Sequence, residues 1–325
     1  MREQILPTVD LYEEIYRLVR QIPRGMVSTP REISEALGDT KAVRAVTEMV
    51  ETAEPCRDLP VHRVVSETGR PLCVGRSPEA CLELLRREGV EVSGGNIIDL
   101  EKHLFSGFEA AFPLKRLQEL QERLSREVVL EDRSAEALEV VAGVDVAYRG
   151  RQGFGACVAM DRSFRVLDEA AAEMEVRFPY VSSYLAFREG PLIMRALERL
   201  DEPFDALMIN GHGIAHPRGC GVATHVGLIL GDKPTIGVAA KKMTEGVKQE
   251  DRIPGAEIRR GGHGTIYVSS GDNITLQRSL ETVEPFLGEH RLPEPLWRAH
   301  IKARDLSRGL AKLKRTNIPW DTDYF

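Results

Sequence analysis

The chain has 325 residues, of which 42% are hydrophobic and 29% charged, and a formal net charge of −6. That length allows two cored domains, no stretch is apolar enough to cross a membrane, and the start Met1-Arg2-Glu3-Gln4 lacks a basic-then-apolar leader, so a cytoplasmic location is expected. The acidic balance excludes a generally basic nucleic-acid binder, and five cysteines (Cys56, Cys73, Cys81, Cys157, Cys220) with no CxxC pair argue against a zinc cage or a disulfide framework and predict reduced, buried thiols.

Residues 9–89 read as mostly helical. From Asp10 to Ile22, apolar residues recur at Leu11, Ile15, Leu18, Val19 and Ile22, a helical spacing that Pro23-Arg24-Gly25 ends. Thr29 is placed to cap a second helix, with Pro30 at its first position and Glu32 at its third, running to Leu37. A third helix, about Thr40 to Thr52, follows after a very short turn, and two short helices joined this tightly predict a helix-turn-helix. Ser93-Gly94-Gly95-Asn96 breaks the pattern. The expected domains are therefore 1–92 and 111–325, joined by a linker over 93–110, with residues 111–126 as a connecting amphipathic helix.

From Leu138 onward the pattern changes. Val140–Tyr148, Phe154–Met160 and Arg165–Val176 read as an antiparallel meander. A helix near Ser182–Leu200 follows, then a strand (Ala206–Ile209), a helix (Val222–Leu230) and a strand (Thr235–Ala239). Further helices are expected near Thr275–Leu287 and Glu294–Leu313. Three strands followed by alternating helix and strand is the order of an RNase H-like mixed α/β sheet with flanking helices.

Four polar positions interrupt this domain. Asp145 stands inside Val141-Ala142-Gly143-Val144-Asp145-Val146-Ala147-Tyr148, where a lone buried carboxylate is costly. By alternation it could equally face solvent. Glu189 lies on an amphipathic helix, where a charge is ordinary. Asn210 ends a buried strand and is followed by Gly211 and Gly213, which permit close backbone approach to a ligand. His212 and His216 could ligate a metal or simply hold their loop. His300, on the last helix, could equally be a solvent-facing residue.

Taken together, the blocks GVDVAY, PYVSSYLAFREGP, NGHGIAHPRGCGVATHVG, PTIGVAAKK and LPEPLWRAH resemble the endonuclease V family over roughly residues 110 to 313. The resemblance implies an Mg²⁺-dependent enzyme (Mn²⁺ as a substitute) that nicks nucleic acid 3′ of deaminated purines, chiefly hypoxanthine. It implies Asp145, Glu189 and Asn210 as metal ligands, His300 as a metal-proximal catalytic residue and Lys241 as the active-site lysine. Pro179 and Tyr180 match the strand-separating wedge, and Leu185, Gly211, Gly213, His216 and Gly221 the lesion pocket. Three positions depart from the family pattern. Asn210 stands where Asp is usual, and an amide oxygen brings no charge to a cation. Ser182-Ser183 replaces Pro-Gly. Ala240 aligns with the lysine, which leaves Lys241 one residue late.

Residues 10–90 resemble the DNA-binding domain of alkylguanine-DNA alkyltransferases, through Ile22-Pro23-Arg24-Gly25-Met26-Val27-Ser28, Arg44-Ala45-Val46, Leu59-Pro60-Val61-His62-Arg63-Val64-Val65 and Leu84-Leu85-Arg86-Arg87-Glu88-Gly89-Val90. Val61 occupies the acceptor-cysteine position and has no nucleophile, so alkyl transfer is chemically excluded there. The resemblance is thus to alkyltransferase-like proteins, with Arg44, Val61, His62 and Arg63 as DNA-binding positions. The expected function is a DNA-repair fusion acting on damaged DNA. The alternatives are a noncatalytic damage-binding protein and an enzyme cutting inosine-containing RNA.

Overall fold

The computed structural model describes residues 2–52, 59–72, 77–133, 137–243 and 255–312. The chain divides into two compact units: Val9–Gln118 with Arg177–Ser182, and Met1–Thr8 with Glu119–Val176 and Ser183–Phe325. The first helix, α1 (Arg2–Ile5), belongs to the larger unit. There Ile5 packs with Leu124 and Cys220, so the expected 1–92 domain loses its first eight residues.

In the smaller unit, α2 (Leu11–Gln21) starts where the Asp10 side chain accepts the Glu13 amide, and it buries Leu11, Ile15, Leu18 and Val19. Thr29 caps α3 (Pro30–Leu37) by accepting the Glu32 amide at 3.3 Å. Gly38 ends that helix at φ 98, a left-handed conformation that favours glycine. The third helix opens as a 3₁₀ turn (Thr40–Ala42) and continues as α4 (Val43–Thr52). Next come α5 (Pro78–Arg87), the two-stranded hairpin β1 (Val92–Ser93) and β2 (Asn96–Ile97), α6 (Leu100–His103) and α7 (Pro113–Leu124), whose residues from Glu119 on belong to the larger unit.

Residues 93–110 are therefore not a linker. The Val27 amide donates to the His103 carbonyl (2.8 Å), the Phe105 amide to Val27 (2.7 Å) and the Ile97 amide to Gly69 (3.1 Å), so this segment is folded into the smaller unit. Its glycines turn a hairpin instead of marking a boundary. A second correction concerns the cysteines. Cys81 is buried and disulfide-bonded, whereas Cys157 and Cys220 are buried free thiols. Spacing alone reports no distance between thiols, so the pairing was not legible. Cys56 and Cys73 lie outside the described residues.

The larger unit is built on one seven-stranded sheet. β3 (Val140–Arg149), β4 (Gln152–Asp161) and β5 (Val166–Glu175) form the antiparallel meander. After α8 (Leu185–Leu197), β6 (Ala206–Asn210) runs parallel to β3. After α9 (Val222–Leu230), β7 (Thr235–Ala239) runs parallel to β6. The expected strands end there, but two antiparallel strands, β8 (Gly255–Arg259) and β9 (Thr265–Asp272), complete the order β5-β4-β3-β6-β7-β9-β8. α10 (Leu276–Val283) and α11 (Glu294–Ser307) close the unit.

Both faces of the sheet are covered. Ala142, Val144, Leu207 and Ile209 pack with Leu192 and Ile193 of α8 and Val226 of α9. Val141, Met208, Ile236 and Val238 pack with Val283, Phe286, Leu296 and Ala299. At Gly143 a Cβ would lie 2.3 Å from the Pro295 backbone, so α11 crosses β3 at touching distance only because that residue is glycine.

Candidate nuclease site

The register pairs Val144 of β3 with Ile209 of β6, so the following residues, Asp145 and Asn210, fall side by side. Asn210 Nδ2 donates to Asp145 Oδ1 at 3.0 Å. Asp145 is buried at 6% exposure, which removes the solvent-facing alternative. It shares a strand face with Val141 and Gly143, the face that α11 covers. His300 of α11 meets it there, with Nδ1 2.7 Å from Asp145 Oδ2. This hydrogen bond, and the charge of Asp145, raise the pKa of His300 against its partial burial, so Nδ1 carries the proton and donates.

Glu189 comes from the opposite side of the sheet, on α8. Tyr148 lies three residues after Asp145, on the other face of β3, and its hydroxyl donates to Glu189 Oε1 at 2.9 Å. The Arg188 guanidinium lies 4.1 Å from the Tyr148 ring centroid. Burial, then the charge of Asp145, push the Glu189 carboxyl up to about 8, while the Tyr148 bond and Arg188 oppose the shift. Burial and Glu189 raise the Tyr148 phenol well above its ordinary value. The sheet thus assembles two buried carboxylates, an amide and a histidine at the β6 strand end. Among the described residues, no three His, Cys, Asp or Glu side chains converge as a metal cluster. Asp145 is bonded by the Asn210 amide and Glu189 by the Tyr148 hydroxyl.

The glycine-rich loop after β6 is packed onto itself. A Cβ at Gly213 would lie 1.9 Å from the Ser270 carbonyl, and one at Gly221 2.1 Å from the His212 carbonyl. At Gly211 it would meet Val222 Cγ1 at 2.4 Å and Leu185 Cδ2 at 3.7 Å, which brings Leu185 alongside this loop. Close packing is therefore the first demand on these glycines. The histidines of this loop are bonded to backbone. His212 Nε2 donates to the Lys241 carbonyl at 3.0 Å, while the Lys241 side chain is exposed. His216 Nδ1 accepts the Arg218 amide at 3.2 Å, so Nε2 carries the proton that it donates to the Ser183 carbonyl at 3.0 Å. Burial, then Arg218, hold His216 neutral, its pKa pulled down to about 3.

Ser183 stands at φ 67, in the left-handed region, where the family pattern has glycine. A set of donors holds it there. Its carbonyl accepts from His216, from Gln121 Nε2 (3.3 Å) and from Arg218 Nη2 (2.7 Å), and its hydroxyl lies 3.0 Å from Arg218 Nη2. Arg218 also donates to Gln121 Oε1 (2.8 Å) and lies over the Tyr184 ring. Sequence reasoning singled out none of Tyr148, Arg188, Gln121 and Arg218 for these roles. Tyr148 and Arg188 stand inside the quoted blocks, but which partners they meet depends on the sheet. Pro179 and Tyr180 belong to the Arg177–Ser182 segment of the smaller unit, and Tyr180 is 55% exposed.

In the smaller unit, Arg44 is exposed in the first turn of α4. Val61, His62 and Arg63 form a 3₁₀ turn. Arg63 grips Glu88 with Nε (2.9 Å) and Nη2 (2.8 Å) and donates Nη1 to the Ile22 carbonyl (2.8 Å). His62 Nε2 lies 3.0 Å from Glu88 Oε1. The structure therefore uses His62 and Arg63 inward, as an ion-pair cluster that ties the turn to the end of α5. Burial would raise the Glu88 carboxyl, but bonds from Arg63, His62 and the Gly25 amide outweigh it and bring the pKa down to about 2.

A mixed α/β sheet with a bonded Asp145–His300 pair, and a buried Glu189 that feels the charge of Asp145, defines a nuclease-type hydrolase domain. The endonuclease V family profile matches residues 122–301, and the profile for the 6-O-methylguanine DNA methyltransferase DNA-binding domain matches residues 10–90. A bifunctional methyltransferase/endonuclease of Picrophilus torridus is 34% identical over 310 residues, covering 94% of this chain and 99% of that protein. A bifunctional methyltransferase-like/endonuclease of Nanoarchaeum equitans is 32% identical, covering 82% of each. The crystal structure of endonuclease V from Bacillus subtilis superposes with a TM-score of 0.56 at 27% identity, over 61% of this chain and 93% of its own. The chain belongs to the endonuclease V family and is a DNA-repair endonuclease fused to an alkyltransferase-like DNA-binding domain. The family is metal-dependent in general.

Proposed function

We propose that the larger unit nicks DNA 3′ of deaminated purines, hypoxanthine above all, and that the smaller unit binds alkylated bases without transferring the alkyl group. The observation that carries this reading is the buried pair Asp145 and Glu189, one on each side of β3, with His300 bonded to the first. Two hard, buried carboxylates, of which Asp145 raises the proton affinity of Glu189, suit a small divalent cation, and we assign Mg²⁺, with Mn²⁺ as its substitute. Asp145, Glu189 and the amide oxygen of Asn210 would hold it. Such a cation supplies water activation and charge neutralisation at the scissile phosphate.

The chain's own residues do the rest. Tyr148 fixes the rotamer of Glu189. Asp145 holds His300 by Nδ1, which leaves Nε2 as the nitrogen that exchanges a proton with a reacting oxygen. Lys241, exposed after β7, offers positive charge to a phosphate. Leu185 with the Gly211–Gly221 loop receives the displaced base, and the exposed ring of Tyr180 is free to stack on a base in its own right. In the smaller unit Arg44 fills the helix as a base leaves the stack, and Val61 excludes alkyl transfer.

One observation favours a second reading, a noncatalytic damage-binding protein: the Asn210 amide already satisfies an oxygen of Asp145 without any cation. Single-turnover nicking of a hypoxanthine duplex, with Mg²⁺ and Mn²⁺ titrated, separates the two. Strand cleavage by the chain as it stands establishes the enzyme. Lesion-selective binding with cleavage only in Asn210→Asp establishes the damage binder, and neither property in either protein ends both readings. Matched ribo- and deoxyribo-inosine strands show whether RNA is the preferred substrate.

A further inference from the structure

α11 carries a ladder of flat rings that ends in the site. His290, before the helix, stacks on Trp297 with ring centroids 4.3 Å apart and planes 15° from parallel. Trp297 in turn stacks on His300 at 5.9 Å and 29°. Trp297 and His300 are three residues apart on the helix, so their side chains lie one above the other. The outer end of the ladder is fixed, because His290 Nδ1 lies 2.7 Å from Oε1 of Glu294, a carboxylate buried at the start of α11. The inner end is the Nδ1 bond of His300 to Asp145.

A single hydrogen bond does not determine the plane of an imidazole, because rotation about its last torsion is soft. A flat face laid against the ring does. Trp297 is the residue that offers this face, and its indole is itself stacked by His290. We infer that Trp297 is a positioning residue for His300: it sets the imidazole plane while Asp145 holds Nδ1, so that Nε2 keeps one direction. This inference rests on the nuclease reading of the site for its rate consequences, but not for the ring geometry itself.

The test compares the full chain with Trp297→Leu, Trp297→Phe and His290→Ala, using His300→Gln to assign the His300 ring signals in proton–nitrogen spectra. In the parent, the indole shifts the His300 ring protons upfield. Trp297→Leu keeps apolar bulk but has no flat face, so those signals move downfield and broaden, while Trp297→Phe largely keeps them in place. His290→Ala, which changes no residue of α11 but removes the partner of Glu294, gives a smaller shift of the same sign. In single-turnover nicking, Trp297→Leu loses about tenfold or more in kcat with KM unchanged within about twofold, and Trp297→Phe recovers most of the loss. His300 signals that stay put in both Trp297→Leu and His290→Ala overturn the inference, as does a Trp297→Leu protein with the parent kcat. If neither the parent nor Asn210→Asp nicks any duplex, the nuclease reading has failed and the ring spectra alone decide the positioning. A Trp297→Leu chain that does not fold leaves the decision to His290→Ala, whose unchanged spectrum overturns the inference.

Discussion

The side-chain amide of Asn210 donates a 3.0 Å hydrogen bond to Oδ1 of Asp145 across the parallel β3–β6 pair. A carboxylate at position 210 could not donate this bond. It would repel Asp145, and Asp145 already raises the proton affinity of Glu189. The Asn210 amide therefore bonds Asp145 where a carboxylate would repel it, at the expense of a negative charge that would help to hold a cation.

Asn210→Asp is expected to reverse that balance. In chelator the variant loses about 1–2 kcal/mol and melts a few degrees lower. With Mg²⁺ or Mn²⁺ it recovers as the cation binds the native state, and it binds the cation about tenfold more tightly than the parent. Calorimetric titration with Mn²⁺ and melting with and without chelator check this. A variant that is the more stable of the two in chelator contradicts it.

Tyr148→Phe removes the hydroxyl that donates to Glu189 Oε1 and leaves the ring under Arg188. The Glu189 carboxylate loses a stabilising bond, so its pKa rises further above about 8 and it releases its proton less readily to a cation. Cation affinity is expected to fall about tenfold, with a change in melting temperature of a few degrees at most. Equal affinity in both proteins would show that the hydroxyl is unimportant.

The smaller unit should be acid-sensitive through Glu88. Its folded pKa of about 2 lies below its ordinary value of 4.5. The stability it contributes is therefore fully present above about pH 4.5 and is lost as pH falls through about 2. His216 and His225 of the larger unit, pulled down to about 3 and about 4, act in the same direction from pH 6.5 downward, because the unfolded chain takes up protons that the buried rings refuse. Melting curves should show stability falling below about pH 4.5, whereas between pH 7 and 4.5 Glu189, whose folded pKa of about 8 lies above its ordinary value, opposes the two histidines. Glu88→Gln should cost about 2 kcal/mol at pH 7 and flatten the limb below pH 4.5. An acid limb as steep as the parent's would remove Glu88 from the account.

Arg218→Lys keeps the charge but loses the fork that holds Gln121 and both oxygens of Ser183. The loss is expected to be about 2 kcal/mol. Adding Ser183→Gly should return about 1 kcal/mol, because glycine adopts φ 67 without the side-chain penalty. Chemical denaturation of the single and double variants measures both, and strictly additive effects would separate Ser183 from the clamp.

Much of the local structure was legible in the residues. The Asp10 and Thr29 caps, the helical spacing through Ile22 and the meander from Val140 onward are short-range patterns, and they hold. β8 was not legible because it is a short edge strand with only two apolar residues in five, Ala256 and Ile258, and β9 was missed with it. The 93–110 segment reads as a linker because it is rich in glycine and polar residues. Backbone bonds to Val27 and Gly69, distant in sequence, fold it in. His62 and Arg63 read as DNA-binding positions through the resemblance, and their bonds to Glu88 were not legible because that acceptor lies some 25 residues away.

The sequence by itself determined the family, the two-part organisation and the residue types at the site, including Asn210 and Val61, because those are statements of which side chain stands at which place in a motif. Only the tertiary structure decided what each does. Alternation along β3 left Asp145 free to face water or the interior, and α11, returning 155 residues later over Gly143, buried it against His300. The strand register then set Asn210 beside it as a hydrogen-bond donor. Burial and partner are long-range properties, and in this site they turn a repelling carboxylate position into a bonded amide.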